Sequence, residues 1–231
     1  AAVFHVRDLV CGRAMFLGSG SEAMEAALKL ARQYHLERGD EKRAKIIARD
    51  RSYHGNTLGA LATSGHKQRQ MPFAPLLIDV AHIPPCYAYR FKNDNENDQD
   101  FGLRMANTLE EEILKQGPET VAAFVVEPVS GASLGAEPAV PGYFKRIREI
   151  CDQYGILFIA DEVMCGIGRT GYLFAMEAEE VCPDIITIAK GLGAGYQPIA
   201  SLMANEKVIT AIKNGTGNLW NGHTYMSHAV A

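Results

Sequence analysis

Lys190 closes an apolar run, residues 184–190 (DIITIAK), and glycines follow it at 191, 193 and 195. An ammonium group at the end of a covered strand is costly unless something uses it. A lysine desolvated there has a lowered pKa and traps carbonyl carbons, because a Schiff base spares it an unpaired buried charge. The bland alternative is a side chain that snorkels to solvent. Acids stand in similar places: Asp161 ends ILFIA and Glu127 ends FVV. Buried carboxylates are almost always paired, so Asp161 needs either a cationic ligand, an arginine such as Arg169, or a role as an N-cap. A fourth element is GSGSEA, residues 18–23, where Ser19, Gly20 and Ser21 open a helix. Backbone N–H groups and hydroxyls there face an anion at the positive helix end, although Ser19 with Glu22 also forms a plain capping box.

The elements that must position these groups follow from periodicity. Short β-rich runs at 14–18, 44–50, 76–83, 121–128, 156–163, 184–190 and 199–204 alternate with amphipathic stretches at 20–38, 56–63, 102–116, 141–154 and 205–213. That alternation predicts an α/β fold with a mostly parallel central sheet and helices on both faces. Several strands are apolar at consecutive positions, as strands covered on both sides must be. In the strongest helix, Met24, Ala27, Leu28, Ala31, Tyr34 and His35 share one face, and Gly39 ends it. The polar stretch 91–100 (FKNDNENDQD) reads as an exposed excursion within one domain. Ligands of parallel sheets gather beyond the carboxyl ends of the strands, where Ser19-Gly20-Ser21, Tyr53-His54, Glu127, Asp161-Glu162-Val163 and Lys190 all fall.

Composition narrows the function classes. The 231 residues, 47% hydrophobic and 22% charged, suit one large globular domain that buries roughly 70% of its unfolded surface. The net charge of −4 and the lack of a Lys/Arg cluster exclude a nucleic-acid partner. No run is apolar enough for a membrane span, and no metal-ligand spacing occurs. The five cysteines, an odd number without a C-x-x-C, read as reduced thiols of a cytoplasmic protein. The chain starts without Met and stops in an apolar run, so a piece of a longer chain is expected.

Two segments, 18–23 and 166–171 (GIGRTG), match glycine-rich dinucleotide loops, which makes an NAD(P)- or flavin-binding oxidoreductase a rival. Against it, the residues after GIGRTG are interrupted by Pro183 before a helix of dinucleotide length can form, and the rival leaves Lys190 without a task. A phosphate cup, an aromatic plate (Tyr53), an acid for a ring nitrogen (Asp161) and an imine-forming lysine (Lys190) are together the contacts of pyridoxal 5'-phosphate, PLP.

GSGSEAMEAALKLAR, YHGNT, VVEPV, GILFIADEVMCGIGRTG and IAKGLGAGYQPI also resemble, in order, the class III PLP-dependent aminotransferases of fold-type I. The resemblance covers almost the whole chain and implies the PLP-binding large domain, residues 1–231, without the small domain. It implies that Lys190 holds the cofactor as a Schiff base and moves the proton. Asp161 would keep the pyridine nitrogen protonated, each pKa unit being worth about 1.4 kcal/mol. Tyr53 and Val163 would flank the ring, Ser19, Gly20 and Ser21 would hold the phosphate, and Glu127 would stand by the substrate carboxylate. His54 adjoins this cofactor set, although it and His223 read as structural. GHTY (222–225) resembles the segment whose threonine, here Thr224, reaches the cofactor of the other subunit of a homodimer; the usual G-H-P after it reads SHAVA. The implied reaction moves an amino group from an amine or amino acid, often a terminal amine, to a keto acid. Aminomutase and decarboxylase chemistry stay open, since substrate orientation selects the bond that breaks.

Overall fold

The computed structural model describes residues 12–229; Cys11, the opening AAVFHVRDLV and the last two residues lie outside the described part. Nine strands follow in chain order: β1 (Arg13–Leu17), β2 (Lys45–Arg49), β3 (Ala81–Ile83), β4 (Val121–Val126), β5 (Val129–Ser130), β6 (Glu137–Pro138), β7 (Leu157–Asp161), β8 (Ile185–Ile188) and β9 (Ala200–Ala204). The α-helices are α1 (Gly20–Glu37), α2 (Leu58–Thr63), α3 (Lys67–Gln70), α4 (Ala88–Phe91), α5 (Asp98–Gln116), α6 (Tyr143–Tyr154) and α7 (Glu206–Asn214).

Seven strands form one sheet in the order β1-β9-β8-β7-β4-β2-β3, with β5 and β6 as a separate small hairpin. β9 runs antiparallel to both β1 and β8, and every other pair in the large sheet is parallel. β4, β7 and β8 are buried at every position, in keeping with cover on both faces. α1 lays Ala23, Met24, Ala27, Ala31 and Tyr34 against one face. α5 and α6 cover the other with Phe101, Leu109, Phe144 and Ile147. The alanines of α1 let its axis lie close to the strands, so its N-terminus reaches the sheet's carboxyl rim.

Local chemistry starts these helices where the function needs them. Ser19 Oγ accepts from Glu22 N–H at 3.2 Å as the predicted cap, whereas Glu22 Oε2 reaches one residue past the box position and accepts from Gly18 N–H at 2.7 Å. Glu25, one turn on, accepts from the N–H groups of Gly59 and Ala60 at 2.7 and 3.1 Å and thereby ties α2 to α1.

Two expectations need correction. The strand expected over 76–83 is only Ala81–Ile83, the stretch that pairs with residues 47–49 at the edge of the sheet, and Leu76 closes an exposed 3-10 turn over 71–76. The excursion at 91–100 is exposed as expected but partly helical: α4 ends at Phe91 and α5 begins at Asp98, where Asn97 Oδ1 accepts from Asp100 N–H at 2.9 Å. Capping chemistry won over polar composition there. Among the described residues Cys86, Cys151 and Cys165 are buried free thiols, and no helix is long and apolar enough to cross a membrane.

At the opposite end of the sheet, Asp184 joins four elements. Arg148 Nη1 and Phe158 N–H donate to Oδ2, each at 2.9 Å, and Lys207 Nζ and Asn205 Nδ2 donate to Oδ1 at 2.9 and 3.2 Å. Burial pushes this carboxyl up, but Arg148 and Lys207 outweigh it and hold it below the usual range. A carboxyl depressed in the folded state stabilises fully above its unfolded pKa, about 3.9, and that stability is lost as pH falls through the folded value. Asp184→Asn should therefore cost about 3 kcal/mol at neutral pH, and its denaturant midpoint should fall less steeply than the parent's below about pH 4.

Candidate active site

Five chain segments meet at the carboxyl rim around a cavity of about 340 Å³. Ser19, Gly20 and Ser21 come from the start of α1, Tyr53 and His54 from the loop after β2, and Glu127 from the end of β4. Asp161 and Val163 come from the end of β7, and Lys190 from the turn after β8. Gathering them is a property of the parallel sheet, since β2, β4, β7 and β8 all deliver their carboxyl ends to one side.

Asp161 is the most tightly held of them, with 4% of its side chain exposed. Its Oδ2 faces His54 Nδ1 at 2.7 Å, while Val163 N–H and the Thr187 hydroxyl donate to Oδ1 at 3.1 and 3.4 Å. With both oxygens acting as acceptors, His54 Nδ1 carries the hydrogen and donates it. The partner of Asp161 is therefore His54 and not Arg169. His54, read as structural in the sequence, is a direct part of the site: its ring is fully buried, its N–H donates to Ser64 Oγ at 2.8 Å, and its Nε2 is buried without a partner.

Glu127 is also buried, and burial pushes its carboxyl up; His54 and Arg49 oppose that shift while Asp161 adds to it. It accepts from Tyr53 N–H through Oε2 and from Gly131 N–H through Oε1, both at 3.2 Å. The Tyr53 ring has the Arg69 guanidinium 4.8 Å from its centroid, which occupies one aromatic face.

The helix start is shaped for close approach. A Cβ on Gly20 would meet Val163 Cγ1 at 3.0 Å, and one on Gly55, at φ 136°, would meet Ser21 Oγ at 2.6 Å. The Ser21 hydroxyl accepts from Asn56 N–H at 3.1 Å. N–H groups in a first helical turn have no intrahelical acceptor, so those of Gly20 and Ser21 are available to a ligand.

Lys190 corrects the expectation of a desolvated amine. It lines the cavity, but it is exposed and begins a 3-10 turn with φ 43°. The apolar strand ends at Ile188, and the glycine-rich turn that follows brings no covering side chain over the lysine. Thr224 is exposed and lies outside this cavity, and His223 is half-buried with Nε2 unpartnered.

GIGRTG forms a tight loop in which Ile167 N–H bonds Leu173 O at 2.7 Å and Gly168 N–H bonds Tyr172 O at 3.0 Å. No helix leaves it, so it lacks the helix N-terminus of a dinucleotide loop. Glu162, given no role from sequence, anchors the residues beyond: Ala175 and Met176 N–H donate to its carboxylate at 2.7 and 2.9 Å. Met164 and Gln197 also line the cavity. Their position in the D-E-V-M and Y-Q-P strings was the only signal that could have found them.

A sequence model described as "Aminotransferase class-III" matches residues 4–231. An uncharacterized aminotransferase of Schizosaccharomyces pombe is 47% identical over 96% of this chain and 49% of its own length. Gamma aminobutyrate transaminase 3, chloroplastic, of Solanum lycopersicum is 41% identical over 95% of this chain and 42% of its own length. Among solved structures, the omega transaminase of Pseudomonas jessenii in complex with PMP superposes with a TM-score of 0.90 at 36% identity, over 95% of this chain and 49% of that one. The chain thus spans about half the length of the proteins it matches.

Removing the donor from the buried Asp161 should be expensive. His54→Leu should cost about 3 kcal/mol in urea unfolding, and His54→Asn, which can still offer an N–H, should lose less. Equal losses in the two variants would mean that the 2.7 Å contact contributes nothing.

Proposed function

The chain belongs to the class III aminotransferases, and we propose that it forms the PLP-binding large domain of an enzyme that moves an amino group from an amine or amino acid to a keto acid. The observation that carries this reading is the convergence on one cavity of Lys190, the His54–Asp161 pair and the first turn of α1. The cavity suits the family's cofactor on its own chemistry. Gly20 lets the start of α1 pack closely on Val163 with its first-turn N–H groups at the cavity for a phosphate, the buried Asp161 carboxyl can meet a cationic ring nitrogen, and Lys190, the one lysine lining the cavity among the described residues, is exposed there.

When bound, PLP supplies an aldehyde for amines and a ring that draws electrons from the bond being broken. The chain's residues supply the rest. The N–H groups of Gly20 and Ser21, with the Ser19 cap, bind the phosphate at the positive end of α1. Asp161, oriented by His54, keeps a proton on the ring nitrogen. Val163 and Tyr53 hold the ring between them, and Glu127 stands at the substrate's side. Lys190 Nζ would be the amine that holds the cofactor and the group that carries a proton to and from the substrate carbon. The exposure of Lys190 suits that second task, because an amine must swing between two partners.

Terminal amines are the favoured donors in this reading. A γ-aminobutyrate transaminase and an omega transaminase stand among the similar proteins, both named for chemistry at a terminal amine. The reading includes a homodimer, with Thr224 serving the partner's cofactor. Its support is an apolar surface on the α1 side: Leu36, Ile78 and Trp220 line one groove, and Leu58, Met71, Phe73 and Leu76 are exposed nearby in sequence. Free thiols support a reducing compartment such as the cytoplasm.

The full protein loaded with PLP should absorb visible light, and borohydride should fix the cofactor to the chain. Lys190→Ala should bind PLP without fixation and lose at least ~1,000-fold in turnover with a panel of amines against pyruvate or 2-oxoglutarate, as loss of a nucleophile and proton carrier predicts. Fixation at another residue would end the assignment. Phe73→Asp should raise the monomer fraction in analytical ultracentrifugation; an unchanged monomer fraction would remove this surface from the interface.

A further inference from the structure

Arg49 is 2% exposed at the end of β2, yet it makes no ion pair with a carboxylate among the described residues. Its Nη2 donates to Glu127 O at 2.7 Å and to Ser130 Oγ at 2.9 Å, and its guanidinium lies 5.9 Å from the Tyr143 ring centroid. Its Nε has no partner. A buried cation hydrogen-bonded only to neutral acceptors recovers less of its desolvation cost than one in an ion pair, and here the one charge facing it from nearby among the described residues is the Glu127 carboxyl, to which it makes no bond. Such a group persists where the geometry it imposes has another use.

That use is visible in what the residue joins. The carbonyl of Arg49 accepts from Ser52 Oγ at 2.7 Å, and the same hydroxyl accepts from Gly65 N–H at 3.0 Å, which fixes the entry of the loop carrying Tyr53 and His54. Glu127, gripped at its own carbonyl by Arg49, closes the ring by accepting from Tyr53 N–H. The loop after β2 and the turn after β4 are therefore registered by one side chain. β2 and β4 are neighbours, but the chain runs outward from them in opposite directions, to β3 and to β7. Loops diverge at such a point and open a crevice. Arg49 spans it from below.

We propose that Arg49 is a positioning residue of the amino-transfer site, setting the place of the Glu127 carboxylate and, through it, of the Tyr53 backbone. This rests on the function proposed above, but its test can be read in the cofactor-free full protein. There Glu127 faces Arg49 from β2, His54 from the following loop and Asp161 from β7. Arg49→Met keeps the bulk and removes both donors and charge. It should speed amide hydrogen exchange at Tyr53 and Gly131 at least tenfold while Leu109 in α5 changes less than threefold. Glu127→Gln should speed the same two amides, and the double variant should be no worse than the single ones, since the path is shared.

Arg49→Lys should recover part of the protection, and Ser130→Ala, which leaves the guanidinium and its bond to Glu127, should lose less than Arg49→Met. These two milder variants carry the test if Arg49→Met does not fold. In the loaded enzyme, kcat/KM for the keto acid should fall at least tenfold more than PLP affinity. Unchanged exchange at Tyr53 and Gly131, or additive effects in the double variant, overturns the proposal and leaves Arg49 as a brace. Loss of borohydride fixation at Lys190 would sink the functional reading alone, because the exchange pattern does not depend on the reaction.

Discussion

A carboxylate buried at a strand end keeps its charge only if donors reach its oxygens, and the arrangement around Asp161 is organised by that requirement. The donors come from the next residue but one, from the neighbouring strand and from a loop more than a hundred residues earlier in the chain. His54 can supply its bond only if the loop after β2 is held against β7, across the intervening β4. Satisfying one acid therefore fixes three parts of the rim. The same bond holds the Asp161 carboxyl at the cavity, where the proposed function sets a cofactor's ring nitrogen.

Glu127 obeys the same rule with a different solution. It has no cationic side chain bonded to its carboxylate and takes backbone N–H groups instead. Backbone donors hold position without neutralising charge, so burial still pushes this carboxyl up. The two acids thus line the same cavity in unlike environments, one paired with an imidazole and one held by backbone N–H groups. Lys190 belongs to neither network. Its freedom follows from the turn that carries it: strand β8 ends at Ile188, and the glycines beyond provide no side chain to hold the amine.

Much of this was legible in the order of residues. Alternating runs foretold the mostly parallel sheet, the Ser19–Glu22 spacing foretold the start of α1, and acids and a lysine after apolar runs foretold which groups reach the rim. Composition alone told less: it foretold the exposure of 91–100 but not the Asn97 cap within it, and the apolar letters of 76–80 did not show that β3 finds partners on β2 only from Ala81.

Sequence by itself therefore determined the local elements and the identity of the groups delivered to the strand ends, because periodicity, capping and strand termination act over a few residues. Tertiary structure alone decided who pairs with whom. His54 rather than Arg169 meets Asp161, Arg49 ties Glu127 to the loop bearing Tyr53, and Lys190 stays in the open. Those outcomes depend on the order of strands across the sheet. Residues whose strand ends open on the same side of the sheet can become partners, on adjacent strands or across one, however many residues separate them in the chain, and local sequence carries no measure of that distance.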